Sequence, residues 1–213
     1  MWAFATADQS HALLFAALSR VAQQRVGEFN AQGLANTAWA FATADQSDAL
    51  LFAALARAAQ RRVGEFNAQN LANTAWAFAT ADQSDAPLFA ALARVAQRRV
   101  GEFKPQNLAN TAWAFATADQ SHALLFAVLA RAAQRRVGEF NAQNLANTAW
   151  VFATADQSHA LLFAALARAA QRRVGEFNAQ ELANTAWAFA TTDQSHALLF
   201  AALARAAQRR HVG

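Results

Sequence analysis

Residues 70–84 read NLANTAWAFATADQS, and close copies of this stretch recur along the chain. The tryptophans mark its register, because each lies 37 residues after the one before it. A fixed period between about 20 and 50 residues is typical of solenoids and other repeat arrays. The period therefore predicts that all 213 residues form a single elongated repeat domain. The tryptophans that set the register are Trp2, Trp39, Trp76, Trp113, Trp150 and Trp187.

The period divides the sequence into one shortened unit followed by five full or nearly full ones. The first unit lacks the residues that precede the tryptophan in the later copies, so the array holds about 5.5–6 units. No Ser/Gly tract or change in composition interrupts it, and we expect one domain over residues 1–213. The predicted units are residues 1–28, 29–65, 66–102, 103–139, 140–176 and 177–213.

Each unit predicts two amphipathic helices. Within residues 66–102, apolar side chains recur at helical spacing in FNAQNLANTAWAFATA and again in DAPLFAALARVAQRR. Asn67 is the expected N-cap of the first helix, and Pro105 suits the first turn of its counterpart. We expect Ser84 to cap the second helix and Gly101 to end it in the left-handed conformation. The fold class is therefore all-α, an α-solenoid of 37-residue helix-turn-helix repeats stacked into a superhelix.

Composition restricts the possible classes of protein. The chain has no cysteine, which excludes disulfides and thiolate chemistry. No run approaches the 18 uncharged apolar residues of a membrane span, and the opening MWAFATADQSHALLF lacks the pattern of a targeting peptide, so we expect neither. The sequence pI near 11.1 reflects 17 arginines against one lysine, whereas the formal net charge is only +4. Charge alone is therefore a weak indication of nucleic-acid binding.

The histidines do not predict a catalytic or metal centre. Four of them share one repeat position, which aspartate occupies in two other units. Copies of this position in adjacent units would lie about 8–10 Å apart, the packing distance of helices. Zinc holds its nitrogen ligands at about 2.0–2.1 Å, so neighbouring copies cannot share an ion. We expect no catalytic residue, no metal and no cofactor. The residues at this position are His11, Asp48, Asp85, His122, His159 and His196.

A polar row on the first helix is the candidate ligand surface. On a helical wheel, Asn70, Asn73 and Thr80 lie opposite the apolar face with Ala77 among them, and we expect an uncharged groove there. Side-chain amides both donate and accept hydrogen bonds, which suits the base edges of a single strand. The alternative is that these residues bond only the backbone or neighbouring units. Trp76 likewise has two interpretations, a wedge between units or an exposed platform for a base.

The second helices carry three arginines per complete unit. Two are i, i+4 neighbours on the predicted exposed side, and the third points elsewhere. Repeated along the chain, the first two would form rows that follow a phosphate backbone. The alternative is that the arginines are solvated and pair with the acids of each unit. The candidate phosphate-binding residues are Arg57, Arg61, Arg94, Arg98, Arg131, Arg135, Arg168 and Arg172.

The unit resembles the helical-hairpin repeats of the octotricopeptide and heptatricopeptide families and of FAST-kinase-like proteins, which bind RNA in organelles. The shared features are F-x-P-Q-x-L-A-N-T-x-W-A-F-A in the first helix and L-F-x-A-L-A in the second. Pro105 restores the proline of this pattern, and Glu181 supplies the acidic residue often found before the leucine. The resemblance implies single-stranded RNA binding in mitochondria or plastids, with first-helix residues facing bases. These candidates are Asn36, Asn70, Asn73, Asn107, Asn110, Asn144, Asn147, Glu181 and Asn184.

The sequence thus predicts a non-catalytic binding module whose partner is single-stranded RNA. The alternative is a protein-interaction scaffold that holds a peptide or a partner helix in the same groove. The shortened first unit adds a further expectation. Without a complete first helix, Leu13, Leu14 and Phe15 would lose their cover and favour end-to-end self-association.

Overall fold

The computed structural model of the chain describes residues 12–120, 122–157, 159–192 and 196–211. Within these ranges α-helices and short 3₁₀ turns follow one another, and no strand is present, so the all-α prediction is confirmed. The even-numbered helices are the first helices of the units, and the odd-numbered ones are the second helices. The helices are α1 (Ala12–Arg25), α2 (Ala31–Thr43), α3 (Ala49–Arg62), α4 (Ala68–Thr80), α5 (Ala86–Arg99), α6 (Pro105–Thr117), α7 (Ala123–Arg136), α8 (Ala142–Thr154), α9 (Ala160–Arg173), α10 (Ala179–Thr191) and α11 (Ala197–His211).

The first helices begin and end on side chains that suit those positions. Asn67 is the N-cap of α4, as predicted, and its Oδ1 accepts a hydrogen bond from the backbone N–H of Asn70 at 2.8 Å. At the other end Asp82 adopts a left-handed conformation with φ of 53°. The Gln83 N–H reaches back to the Phe78 carbonyl at 3.0 Å. These contacts form a Schellman motif in which aspartate takes the position usually held by glycine.

The second helices begin one residue later than the sequence predicts. Ser84 is not the N-cap of α5, because Asp85 takes that role and accepts a hydrogen bond from the Leu88 N–H at 2.7 Å. The Schellman motif at Gln83 is followed by an extended link, which moves the cap to the next residue. Pro87 then lies in the first turn, where its missing N–H has no helical partner to lose.

The prediction that Gly101 ends α5 in the left-handed conformation is wrong. None of the glycines that the structure describes has a positive φ. Val100–Glu102 instead form a 3₁₀ turn, and the Phe103 N–H donates to the Val100 carbonyl at 3.2 Å. A 3₁₀ turn tightens the last turn of a helix and satisfies its carbonyls without a left-handed residue.

The contacts group the chain into two compact units. One comprises Met1–Phe103 with Trp113–His122, and the other comprises Lys104–Ala112 with Ala123–Gly213. In the first, α2 packs beside α4, while α1, α3 and α5 pack in order as a second layer. The second compact unit repeats this arrangement, with α8 beside α10 and with α7, α9 and α11 as the other layer. First and second helices therefore form separate layers within each compact unit.

Phenylalanine pairs join the two layers. In the first compact unit the ring of Phe78 on α4 meets that of Phe52 on α3 edge-on, with centroids 5.0 Å apart. The pairs Phe15–Phe41 and Phe163–Phe189 repeat this geometry at 5.1 Å. Edge-to-face aromatic pairs contribute about 0.5–1.5 kcal/mol beyond their buried area. The expectation that Phe15 loses its cover is therefore wrong, because this ring is buried against Phe41.

Candidate nucleic-acid interface

The solvent-accessible face of each first helix is a narrow stripe. In α4 only Gln69, Asn73, Trp76 and Thr80 are half-buried or exposed, and every other residue of the helix is buried. Their spacing of four, three and four residues puts them on one side of the helix. We call this row and its equivalents in the other first helices the amide–tryptophan stripe. It carries no charge in α4, as the sequence predicts.

The tryptophans of this stripe contact one another from helix to helix. The ring centroids of Trp39 and Trp76 lie 6.4 Å apart, and those of Trp76 and Trp113 lie 6.2 Å apart. In the second compact unit Trp150 and Trp187 are separated by 6.4 Å. The rings are tilted by 31–39° and are half-buried, except that Trp187 is 45% exposed. The wedge interpretation is confirmed, and each ring also keeps an accessible part.

The asparagines three residues before each tryptophan lie on the same stripe. Asn36 and Asn147 are exposed, whereas Asn73, Asn110 and Asn184 are half-buried. The Asn184 Oδ1 accepts a hydrogen bond from the Gln180 Nε2 at 2.8 Å. These amides flank the tryptophan ladder and keep access to solvent.

The other predicted base-facing residues have a role in the helix itself. The Asn70 Oδ1 accepts from the Asn67 N–H at 3.2 Å while the Asn67 side chain caps α4, which completes a capping box. The same reciprocal bonding joins Asn144 to Asn141 and Glu181 to Asn178. Asn107 accepts from the Lys104 N–H at 3.0 Å. An oxygen at each of these side chains is therefore already bonded at the start of a first helix.

Two residues of the predicted groove are not accessible. Ala77 has no exposed surface, and Thr74 is only 1% exposed. The prediction that Ala77 lines a groove is therefore wrong. Thr80 is exposed, as expected. Its counterpart Thr154 donates its hydroxyl to the Trp150 carbonyl at 3.0 Å.

The arginine pairs of the second helices are exposed. None of them forms an ion pair with an acid among the described residues, where every ion pair uses an arginine that precedes a VGE turn. The exposed positions are Arg57, Arg61, Arg94, Arg98, Arg131, Arg135, Arg168 and Arg172.

The third arginine has a different role. Arg99 pairs with Glu102 at 2.7 Å, and its Nη1 also donates to the backbone carbonyl of Phe66, 33 residues earlier, at 2.6 Å. Arg62 does the same with Glu65 and Phe29, and Arg173 with Glu176 and Phe140. The hydrogen bond from arginine lowers the pKa of each glutamate and raises the pKa of the guanidinium. This residue therefore joins the end of the second helix to the start of the first helix within the same 37-residue unit. The i, i+3 spacing of arginine and glutamate in RRVGE could have predicted the ion pair from the sequence.

The two candidate RNA-contacting sets lie on opposite sides of each compact unit. In α4, Asn73 lies about 140° and Trp76 about 200° around the helix from Phe78, which packs on the second-helix layer. In α3, Arg57 lies about 140° around the helix from Phe52, the partner of that ring. Amides and exposed arginines thus face outward from different layers.

The shared His/Asp position serves to start the second helices. Asp48 Oδ1 accepts from the N–H groups of Leu50 and Leu51 at 3.0 Å, and its carboxylate also accepts from the Ser19 hydroxyl at 2.6 Å. The Ser19 hydrogen bond is the main cause that lowers the pKa of Asp48. His159 holds the same position without a side-chain cap bond, and burial lowers its pKa. His11 lies outside the described residues.

The described part of the chain contains no group of three or more His, Asp or Glu residues placed to hold a metal ion. Across the same residues, no helix is long and apolar enough to cross a membrane.

Comparison with known protein families assigns the chain. Residues 1–209 match the family described as RNA-editing substrate-binding complex 6 protein. The chain belongs to this family. A comparison with curated proteins found no match. The octotricopeptide and heptatricopeptide resemblance therefore stays a prediction beside the family assignment.

Proposed function

We propose that this member of the RNA-editing substrate-binding complex 6 family is a non-catalytic module that binds single-stranded RNA. The RNA lies along the amide–tryptophan stripes of the first helices. The family description names RNA editing and a substrate-binding complex, which supports an RNA-related role.

The proposal includes the finer architecture. Each compact unit holds first helices in one layer and second helices in the other, and 37 residues separate equivalent positions. This pattern supports an α-solenoid of helix-turn-helix repeats that uses its first helices as octotricopeptide and heptatricopeptide-type repeats do. Near-identical repeats then present the same groups at each step, so a homopolymer of about five or six nucleotides is the expected ligand.

The tryptophan ladder is the observation that carries the proposal. Trp39, Trp76 and Trp113 leave part of each ring accessible, and asparagine amides lie beside them. Stacking of a base on an aromatic side chain contributes about 1–3 kcal/mol. A neighbouring amide then supplies both a donor and an acceptor to the base edge. The stripe therefore offers contacts to bases rather than to phosphates.

Fluorescence anisotropy with labelled oligomers of A, U, C and G tests the proposal. We expect one homopolymer to bind most tightly and to quench the tryptophan fluorescence. The variant N36A/N73A/N147A/N184A removes amides from accessible positions and leaves the capping boxes intact. Each lost hydrogen bond costs about 0.5–1.5 kcal/mol, so we expect at least a tenfold loss of affinity.

The matched control is R57Q/R131Q/R168Q, which changes exposed residues of the opposite layer and should leave RNA affinity within twofold. Equally negligible binding of all four oligomers by the parent protein at low salt would exclude the proposal. A protein segment in the same place is the alternative function. It would appear as a partner that survives nuclease treatment and is lost in the asparagine variant.

A further inference from the structure

The second helices carry an exposed row that is independent of the RNA-binding proposal. In the second compact unit Leu124, Leu161 and Leu198 are the second residues of α7, α9 and α11 and are 66%, 70% and 75% exposed. A large apolar side chain that is exposed at the same position of three adjacent helices makes a repeated apolar row rather than a scattered exception.

Two rows of arginine run parallel to these leucines. Arg168 lies seven residues after Leu161, which puts it about 20° away around α9 and about 10 Å along it. Arg172 follows one turn later on the same side. Arg131 and Arg135 repeat the pattern on α7. We call the outward surface formed by these leucines and arginines the leucine–arginine face.

The exposed arginines of this face form no ion pair with any acid that the structure describes. Glu139 and Glu176, the acids of the adjoining turns, are held by Arg136 and Arg173. The arginine pairs of α7 and α9 form no ion pair within the described residues. A ligand for this face must therefore combine negative charge with apolar side chains. Phosphate groups of a nucleic acid satisfy the arginines but leave the leucine row exposed to water.

The spacing of the rows fits an acidic amphipathic helix. Adjacent packed helices lie about 8–10 Å apart, which sets the distance between consecutive leucines. In an α-helix, residues seven positions apart are separated by about 10.5 Å and lie on nearly the same side. A helix laid across α7, α9 and α11 can therefore place one apolar residue per heptad on the leucine row. Glutamates on its adjoining flank then meet the arginine rows.

We propose that the leucine–arginine face of α7, α9 and α11 docks an acidic amphipathic helix of a protein partner. This surface faces away from the amide–tryptophan stripe, so a helix docked here leaves that stripe accessible. Such a helix buries the leucines and pairs its glutamates with arginines. Both the leucines and the arginines are already exposed on the outward surface.

Anisotropy of a labelled synthetic peptide on the full chain tests this proposal. The probe is a helix of about three heptads with leucine once per heptad and glutamates on the adjoining flank. We expect saturable binding that weakens at least tenfold in L124S/L161S/L198S and in R131Q/R135Q/R168Q/R172Q. The control variant N147A/N184A should bind the peptide as the parent protein does. A peptide with lysine in place of each glutamate should not bind.

The same protein samples are titrated in parallel with the preferred RNA oligomer. The proposal predicts that RNA neither displaces the peptide nor loses affinity in the leucine and arginine variants. Absence of peptide binding to the folded parent protein would overturn it. Loss of RNA affinity in the arginine variant, together with displacement of the peptide by RNA, would assign this face to nucleic acid instead. If the protein binds the peptide but not RNA, the RNA-binding proposal for the amide–tryptophan stripe fails and the peptide-docking proposal stands.

Discussion

The outward surfaces of the two helix layers differ in chemistry although the same repeat builds both. The first helices expose glutamine, asparagine, tryptophan and threonine, as in Gln69, Asn73, Trp76 and Thr80. The second helices of the second compact unit expose leucine and arginine, as in Leu161, Arg168 and Arg172. One surface offers stacking and amide hydrogen bonds, whereas the other offers charge and apolar area. A repeat can thus carry two separate recognition surfaces, provided that each layer buries only one side.

The salt dependence of RNA binding gives the largest difference between the two surfaces. If the arginines contact about six phosphates of a single strand, the affinity falls roughly 300-fold as salt rises from about 50 to about 200 mM. Binding to the uncharged stripe should change by less than about threefold over that range, because it releases few counterions. Anisotropy titrations at several salt concentrations measure the slope. A steep salt dependence would show that RNA binds to the arginines instead.

Adjacent arginines within one second helix should differ in their effect on stability. Arg99 bonds both Glu102 and the Phe66 carbonyl, whereas Arg98 is exposed and lies outside every ion pair that the structure describes. We expect Arg99→Gln to lower the melting temperature by several degrees, because a partly buried carbonyl loses its donor. Arg98→Gln should leave it nearly unchanged. Equal melting temperatures for the two variants, measured by circular dichroism, would contradict the joining role of Arg99.

The start of a second helix offers a stabilising change that leaves both surfaces intact. Asp85 caps α5 and also accepts from the Gln60 amide at 3.0 Å, whereas His159 makes no cap bond at the start of α9. Gln134 holds the position equivalent to Gln60. His159→Asp should therefore stabilise the protein by about 1 kcal/mol and raise the melting temperature by about 2–4 °C.

The pH dependence of this variant has a defined sign. Burial lowers the pKa of His159 below its ordinary 6.5, so the folded parent binds fewer protons there and loses stability as the pH falls below that value. In His159→Asp this loss disappears. The gain over the parent protein should therefore be larger at pH 5.5 than at pH 7. Thermal melts at these two pH values measure this, and an equal gain at both would contradict the contribution of the His159 pKa.

The smallest expected effect separates two asparagines of one first helix. Asn144 completes the capping box of α8, and Asn147 lies exposed one turn later on the stripe. Asn144→Ala should cost about 0.5–1 kcal/mol of stability with little change in RNA affinity. Asn147→Ala should lower the RNA affinity and leave the stability nearly unchanged. If both variants weaken RNA binding equally while both stay folded, the capping position also faces the ligand, as the organellar repeat resemblance implies.

The sequence was informative about helices and less so about their ends. The 37-residue period and the apolar spacing predict the two helices of each unit, and Asn67 caps its helix as expected. The errors at Ser84 and Gly101 have one cause. Single-sequence rules favour serine caps and left-handed glycine, whereas here Asp82 takes the left-handed position and a 3₁₀ turn ends the second helix.

The sequence predicted the residue types of the candidate site and the helices that carry them, but not the burial of each residue. A helical wheel finds Asn73 and Thr80 on a polar face, but it cannot show that tertiary packing buries Ala77 completely. The exposed leucines were missed for a similar reason. The unit of residues 66–102 carries Pro87 where other units carry leucine, so the row is invisible in that copy. Only packing shows that the arginines face away from the amides.

The reach of Arg62, Arg99 and Arg173 has a consequence for how such a protein changes over generations. Each of these side chains bonds a carbonyl 33 residues earlier. Each of these bonds therefore lies within one 37-residue unit, and nearly identical coding copies favour unequal exchange between units. Such an exchange adds or removes whole units, and each unit carries its own bond with it. The number of repeats, and with it the length of ligand that can be held, is thus free to change in single steps.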